Sequence, residues 1–382
     1  MTEAVAAGTA APTLLFRTHQ PVAHVQGGGL VLEHGPSGSG TKLNDTARRI
    51  WELTDAPISL ETLCARVAAE FEIGRGECDG AVRALVDDLA CRGLMEEVAE
   101  APGDAGVRSR YLDLLKRALV NLIYPEHELR IELLEAQGPY RPTLEAQQLM
   151  RDIRYRSAAE YEALVASKLD GSVRHRRPSR FSHTMVGMAR LDNLEYCARR
   201  VFADGVPGDF LEAGVCQGGA AIFMRGLQVA LGEEDRRVWL ADSFEGLPPP
   251  THEVDRAWQL DWSEERQPWL ACGLDAVQDN FRTYGLLDDR VRWLPGWFSD
   301  TLQTAPVERI AILRADADLY QSTREILEAL YDRVSPGGFV VIDDYGTIEA
   351  CRRAVDEFRA ERGVSEPIRR IDWTGVYWRR EA

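Results

Sequence analysis

Apolar positions recur in three different rhythms along this chain, and each rhythm predicts a different architecture. From Val22 to Leu32 two short apolar runs flank the turn Gly27-Gly28-Gly29, which predicts a β-hairpin. A glycine-rich loop, Gly35 to Gly40, leads to Asn44 and Asp45, either of which is placed to cap a helix carrying Ile50, Trp51 and Leu53. Ser59 is placed to cap a second helix with Leu60, Leu63, Val67 and Phe71 on one face. A third, from about Cys78 to Arg92, buries Val82, Leu85, Val86 and Leu89 and stops at Gly93. Residues 17–98 therefore read as a small winged-helix-like α+β domain. The small-residue stretch up to Phe16 reads as a disordered tail, and AEAPGDAGVR at 99–108 reads as a linker.

From Arg110 the rhythm becomes helical, with Leu112, Leu115, Leu119 and Leu122 on one face and further helices expected over 144–153 and 158–169. These helices are expected to cap the domain that follows. The basic run 173–180 reads as a solvated loop, or in a sharper reading as a mobile lid. A helix over 189–201 then delivers the chain into apolar runs at 209–211, 238–240, 291–295, 310–314 and 339–342. Helices opening at Gly218-Gly219 and spanning 273–284, 322–334 and 349–362 separate them, and a tryptophan-rich loop (Trp258, Trp262, Trp269) follows Pro250. This alternation predicts a mostly parallel sheet with right-handed crossovers. Two consecutive strands near 368–372 and 375–379 close it as an antiparallel hairpin.

Composition narrows the class. The 382 residues favour two domains, and 45% hydrophobic with 28% charged residues is ordinary for a globular protein. No apolar run approaches the roughly 20 residues of a membrane span, and no secretory signal opens the chain, so a cytoplasmic protein without a membrane partner is expected. Seven scattered cysteines lack ligand spacing and read as reduced. A net charge of −16 argues against nucleic acid as a partner.

The candidate chemistry lies at strand ends. Glu212-Ala213-Gly214 closes the first strand with an acid and a single glycine, where a dinucleotide site would carry three glycines for a pyrophosphate. That suits S-adenosylmethionine, which is cationic and has no phosphate: Glu212 faces the charge and Gly214 admits the ligand. The bland alternative for Glu212 is a helix-capping or salt-bridging acid. Gly218 opens the following helix, and Asp242, with Ser243 and Phe244 beside it, is placed for the ribose hydroxyls. Asp316 and Asp318 follow one later strand and Asp343-Asp344 another, and so many acids in one pocket call for a divalent cation, Mg2+ above all. Asp318 is the exception, expected to cap the helix before Ser322.

Two resemblances sharpen this. The stretches LNDTARRIWELTDAPISLETLCARVAAEF and VRALVDDLACRGLMEE make residues 17–98 similar to the PqqD-like family, which recognises precursor peptides of ribosomally made natural products. The resemblance implies a leader peptide adding as a strand to the edge near Leu30 to Leu32, against the helix around Arg83 and Asp87. The stretches RYLDLLKRALVNLIY, HTMVGMARLDNLEYC, DFLEAGVCQGGAAIFMR, VWLADSFEGLPPP, WLPGWFSDTL, LRADADLYQST and GGFVVIDDYG make residues 109–382 resemble the macrocin O-methyltransferase (TylF-like) family. That implies a Rossmann-like class I methyltransferase fold, α/β with a helical N-terminal extension. It also implies metal positions at Asp316, Asp343 and Asp344, with Asp316 a candidate base, and cofactor positions at Glu212, Gly214, Gly218, Asp242, Ser243 and Met185. The sequence departs from the family at Cys216-Gln217 and at Ala315-Asp316-Ala317. The expectation is an S-adenosylmethionine- and Mg2+-dependent O-methyltransferase acting on a precursor peptide, as a homo-oligomer. The alternatives are a small-molecule sugar or polyketide O-methyltransferase whose N-terminal module dimerises or docks a partner, and a non-enzymatic peptide-binding scaffold.

Overall fold

Strand β1 (Thr13–Arg17) occupies part of what reads as a disordered tail, and pairs antiparallel with β6 (Met95–Ala99) over five positions. Its partner lies some eighty residues downstream, so no local pattern announces it; Leu15 is fully buried. This computed structural model describes residues 13–17, 22–26, 29–34, 39–54, 58–71, 75–91, 95–99, 105–136, 158–170, 181–257 and 270–381. The expected helix over 144–153, the basic run 173–180 and Trp258, Trp262 and Trp269 lie outside them.

The chain divides into two units, Met1–Tyr111 and Leu112–Ala382. In the first, β2 (Val22–Gln26), β3 (Gly29–His34) and β4 (Ser39–Leu43) form a meander, so the loop expected over 35–40 ends in a strand. Leu30 to Leu32 sit in its central strand, bonded to β2 on one side and β4 on the other. The free edge expected there for an added peptide strand is therefore taken, and the open edges of this sheet are β2 and β4. The helices are α1 (Asp45–Leu53), α2 (Leu60–Phe71) and α3 (Arg75–Cys91), and a two-residue strand β5 (Ile58–Ser59) pairs antiparallel with β1 on the side away from β6. Asn44 caps α1, its side chain accepting from the Ala47 N–H at 2.8 Å. Ile50, Leu63, Val67, Val82, Val86 and Leu89 meet Leu15 in one core, which the helical spacing predicts.

Helix α4 (Ala105–Leu119) begins inside the expected linker, and α5 (Pro125–Ala136), α6 (Ala158–Asp170) and α7 (Met188–Ala203) follow. Next come β7 (Asp209–Ala213), α8 (Gly219–Leu231), β8 (Val238–Asp242), α9 (Glu253–Ala257), α10 (Leu274–Thr283), β9 (Val291–Pro295) and α11 (Phe298–Thr301). The chain closes with β10 (Ile310–Ala315), α12 (Tyr320–Leu330), β11 (Val334–Ile342), α13 (Glu349–Arg362), β12 (Arg369–Arg370) and β13 (Val376–Arg379). The seven strands run in the order β12-β13-β11-β10-β7-β8-β9, and β13 alone runs against the rest, pairing antiparallel with both β12 and β11. Strand β10 is buried at every position because helices cover both faces, which is why it reads as a continuous apolar run. Strand order reverses between β7 and β10, and such a switch point opens a crevice at the carboxyl ends. Among the described residues no helix is long and apolar enough to cross a membrane.

Candidate active site

Sheet register sets the site. Ala213 of β7 pairs with Ala241 of β8 and with Ala315 of β10, and Ala315 pairs with Ile342 of β11. Gly214, Asp242, Asp316 and Asp343 are thus the first residues past one shared rung, side by side across four strands. The amides of Gly214, Asp316 and Asp343 donate to Ala241, Ala213 and Ala315 at 2.9, 2.9 and 3.0 Å, which locks that alignment. Gly214 has φ +88, and a Cβ there would fall 1.6 Å from the Asp316 carbonyl oxygen. Its glycine is required first by the neighbouring strand end, before any ligand arrives.

One rung lower, Arg314 of β10 pairs in register with Glu212 of β7 and is 2% exposed. Its Nη1 donates to Glu212 Oε1 at 2.5 Å, and its Nη2 to Asp316 Oδ2 at 2.9 Å and Asp343 Oδ1 at 2.5 Å. Arg190 of α7 donates to the other Asp343 oxygen and pairs with Asp372 at 2.9 Å. The carboxylates of Asp316, Asp343 and Asp344 each offer an oxygen within 4.8 Å of the others. With Asp318, Glu212 and Asp372, six carboxylates face the two guanidiniums of Arg190 and Arg314. That imbalance shows in the acids: burial and neighbouring carboxylates push Asp316 upward, Asp318 up to about 8 and Asp344 well above the usual range. Burial likewise pushes the Glu212 carboxyl upward, and the Arg314 guanidinium paired with it pulls it back down.

A cavity of about 330 Å³ opens over this cluster. Gly214, Cys216, Asp242, Ser243 and Met185 line one part, Trp297 and Phe298 another, and Asp316, Asp318, Gln321 and Glu325 a third. Asp242 is held by the Val215 and Phe244 amides, which donate to its two oxygens at 2.6 and 2.7 Å. Ser243 closes its own loop, donating to the Gly246 carbonyl at 2.7 Å. Glu212, Gly218, Asp343 and Asp344 do not line the cavity, so of the carboxylate cluster Asp316 and Asp318 form its wall and Asp343 and Asp344 lie behind them. Glu212 is the salt-bridging acid of the bland alternative, and Gly218 (φ +86) starts α8 where a Cβ would meet Val277 at 2.7 Å.

Asp318 departs from its expected role. The first amides of α12 are taken by Asp255 of α9, which accepts from Tyr320 and Gln321 at 2.7 and 3.2 Å. Asp318 instead has φ +55 and turns to the cavity, and no hydrogen bond or ion pair engages its carboxylate among the described residues. Cys216 and Phe244 also have positive φ. Two non-glycine residues in this sparsely populated region, Cys216 and Asp318, line the cavity and a third, Phe244, follows the lining residue Ser243, a concentration typical of functional sites. Sequence reasoning also missed Arg314 and Arg190. The signal for Arg314 was available, since a cation inside the run Ile310–Ala315 has to find buried partners; Arg190 carried none, because its helix supplies polar positions throughout.

Residues 108–380 match the family described as macrocin O-methyltransferase (TylF), and residues 29–95 match coenzyme PQQ synthesis protein D (PqqD). The chain is 48% identical over 278 residues to an 8-demethyl-8-(2,3-dimethoxy-alpha-L-rhamnosyl)-tetracenomycin-C 4'-O-methyltransferase of Streptomyces olivaceus, covering 72% of this chain and 94% of that protein. It is 44% identical to a mycinamicin III 3''-O-methyltransferase of Micromonospora griseorubida, covering 71% of this chain and 96% of that one. The solved structure of the O-methyltransferase NovP is 39% identical, covers 72% of this chain and all of that one, and superposes with a TM-score of 0.58.

Proposed function

This chain belongs to the macrocin O-methyltransferase family, and on that premise we propose that it methylates a hydroxyl on the sugar of a glycosylated natural product. The methyl donor in this reading is S-adenosylmethionine, and Asp316, Asp343 and Asp344 hold Mg2+. The observation that carries the metal is the gathering of Asp316, Asp343 and Asp344, each with an oxygen within 4.8 Å of the others, in a surplus of negative charge beside the cavity. Three carboxylates that close together would supply the hard oxygen donors that Mg2+ prefers. The sugar rather than the expected peptide is favoured because the relatives that match over some 72% of this chain are named for natural-product small molecules.

S-adenosylmethionine, when bound, would supply an electrophilic methyl on a cationic sulfur: the new O–CH3 bond forms as the CH3–S bond breaks, and S-adenosylhomocysteine leaves with the sulfur's electron pair. A bound Mg2+ supplies Lewis acidity that lowers the pKa of an acceptor hydroxyl beside it. The chain itself binds and aligns. Asp242 accepts from ribose hydroxyls, Trp297 and Phe298 offer apolar surface for the adenine, and Gly214 keeps the floor low. Asp318, unengaged and in the cavity wall, receives the acceptor proton in preference to Asp316, whose Oδ2 is held by Arg314. Displacement needs little covalent help, so most of the acceleration comes from alignment. Asp343→Asn with Asp344→Asn is expected to lower kcat by roughly 100-fold or more and to leave S-adenosylhomocysteine affinity within roughly threefold. Full turnover of that variant with excess chelator refutes the metal assignment.

The PqqD match over residues 29–95 favours a second reading, in which the first unit recruits a precursor peptide to the same methyl-transfer site. Mass spectrometry of candidate peptides and of free glycosides after incubation with donor separates the two.

A further inference from the structure

We propose that Glu212 is a positioning residue of the divalent-cation site, acting through Arg314, and not a ligand of the methyl donor. The inference rests on the metal part of the function proposed above. Glu212 is 1% exposed, lies one rung below the cavity floor and is absent from its walls. Its only charged contact among the described residues is Arg314, whose guanidinium it shares with Asp316 and Asp343.

That sharing creates a competition. Arg314 occupies one oxygen each of Asp316 and Asp343, and Arg190 takes the second oxygen of Asp343. A divalent cation entering among Asp316, Asp343 and Asp344 needs some of those lone pairs and repels the guanidinium that holds them. Glu212 gives Arg314 an anion on the side away from the entering charge. Its Oε2 is buried and meets no full hydrogen bond among the described residues; the Ala221 amide of α8 also approaches the carboxylate, and a lone pair remains for a second guanidinium N–H. Arg314 can then close a two-pronged pair on Glu212 as Asp316 and Asp343 turn to the cation. With Glu212 neutralised, Asp316 and Asp343 become its only strong partners, and it holds them against the metal.

The test titrates full-length protein with Mn2+ by electron paramagnetic resonance, and separately with S-adenosylhomocysteine by calorimetry. Glu212→Gln is expected to weaken Mn2+ about tenfold and to leave S-adenosylhomocysteine affinity within about twofold. Loss of S-adenosylhomocysteine affinity with unchanged Mn2+ affinity overturns the assignment in favour of a donor ligand. A parallel fall of both affinities with the thermal midpoint overturns it in favour of a purely structural acid, and no change in either also overturns it. Wild-type protein that fails to bind Mn2+ removes the cation reading of the site and this inference with it, an outcome distinct from those three. Should Glu212→Gln fail to fold, Arg314→Gln removes the competing cation instead and is expected to tighten Mn2+ several-fold; unchanged or weaker binding counts against the proposal.

Discussion

His183 ties the segment before α7 to α10, its Nδ1 lying 2.8 Å from the Tyr284 hydroxyl. Burial lowers the imidazole below its ordinary 6.5 and pushes the Tyr284 phenol up to about 12, so the contact is one between neutral groups. The unfolded chain takes up the His183 proton near pH 6.5, while the folded chain resists it. The stabilisation is therefore present above that pH and is lost as pH falls through the folded value. The difference in thermal midpoint between wild type and His183→Gln is expected to shrink from about pH 8 to about pH 5. A difference that stays flat excludes His183 as the source. Single residues divided clearly in legibility. That Asp316, Asp343 and Asp344 gather in one place was readable because each lies just past an apolar strand, whereas the partners of Glu212 depended on which strands lie side by side.

At the scale of elements, α12 shows how a long-range cap replaces a local one. Its N-cap position is Leu319, whose side chain has no acceptor to offer, and Asp255 reaches the first two amides from α9. Because both helix and cap are cavity walls, the pair fixes the depth of the site as well as the helix end. Asp255→Ala is expected to cost about 1–2 kcal/mol, a fall of several degrees in thermal midpoint, with Asp255→Asn losing markedly less. Equal losses for Ala and Asn, or none for either, would show that the cap carries no stability. The same freedom from capping leaves Asp318 available to the cavity. The meander β2-β3-β4 makes a parallel point. Alternation located β2 and β3, but only pairing with β4, across a glycine-rich loop, put Leu30 to Leu32 in the middle and moved the open edges to β2 and β4.

For the whole molecule, each unit has its own apolar core, one of Leu15, Ile50, Leu63 and Val86 and the other of Leu211, Leu313, Leu330 and Val340. The site described lies entirely in the second. Deleting residues 1–104 is expected to leave kcat/KM on a free glycoside within about threefold. A fall of that ratio by two orders of magnitude or more, with a folded product, would assign the first unit a part in the reaction itself. The sequence by itself determined the two units, the alternating strands and helices, and the acids that end the strands, because periodicity and strand-end chemistry are local properties of a chain. It also carried two family resemblances that the matches over 29–95 and 108–380 bear out. Only the tertiary structure decided that Arg314 and Arg190 lie among those acids, that Asp255 relieves Asp318 of capping, and that β1 closes a sheet rather than trailing as a tail. Each of these joins residues dozens of positions or more apart, or turns on register. A shift of one residue there exchanges the faces of a strand, and the local pattern of a single strand does not say which neighbour it will find.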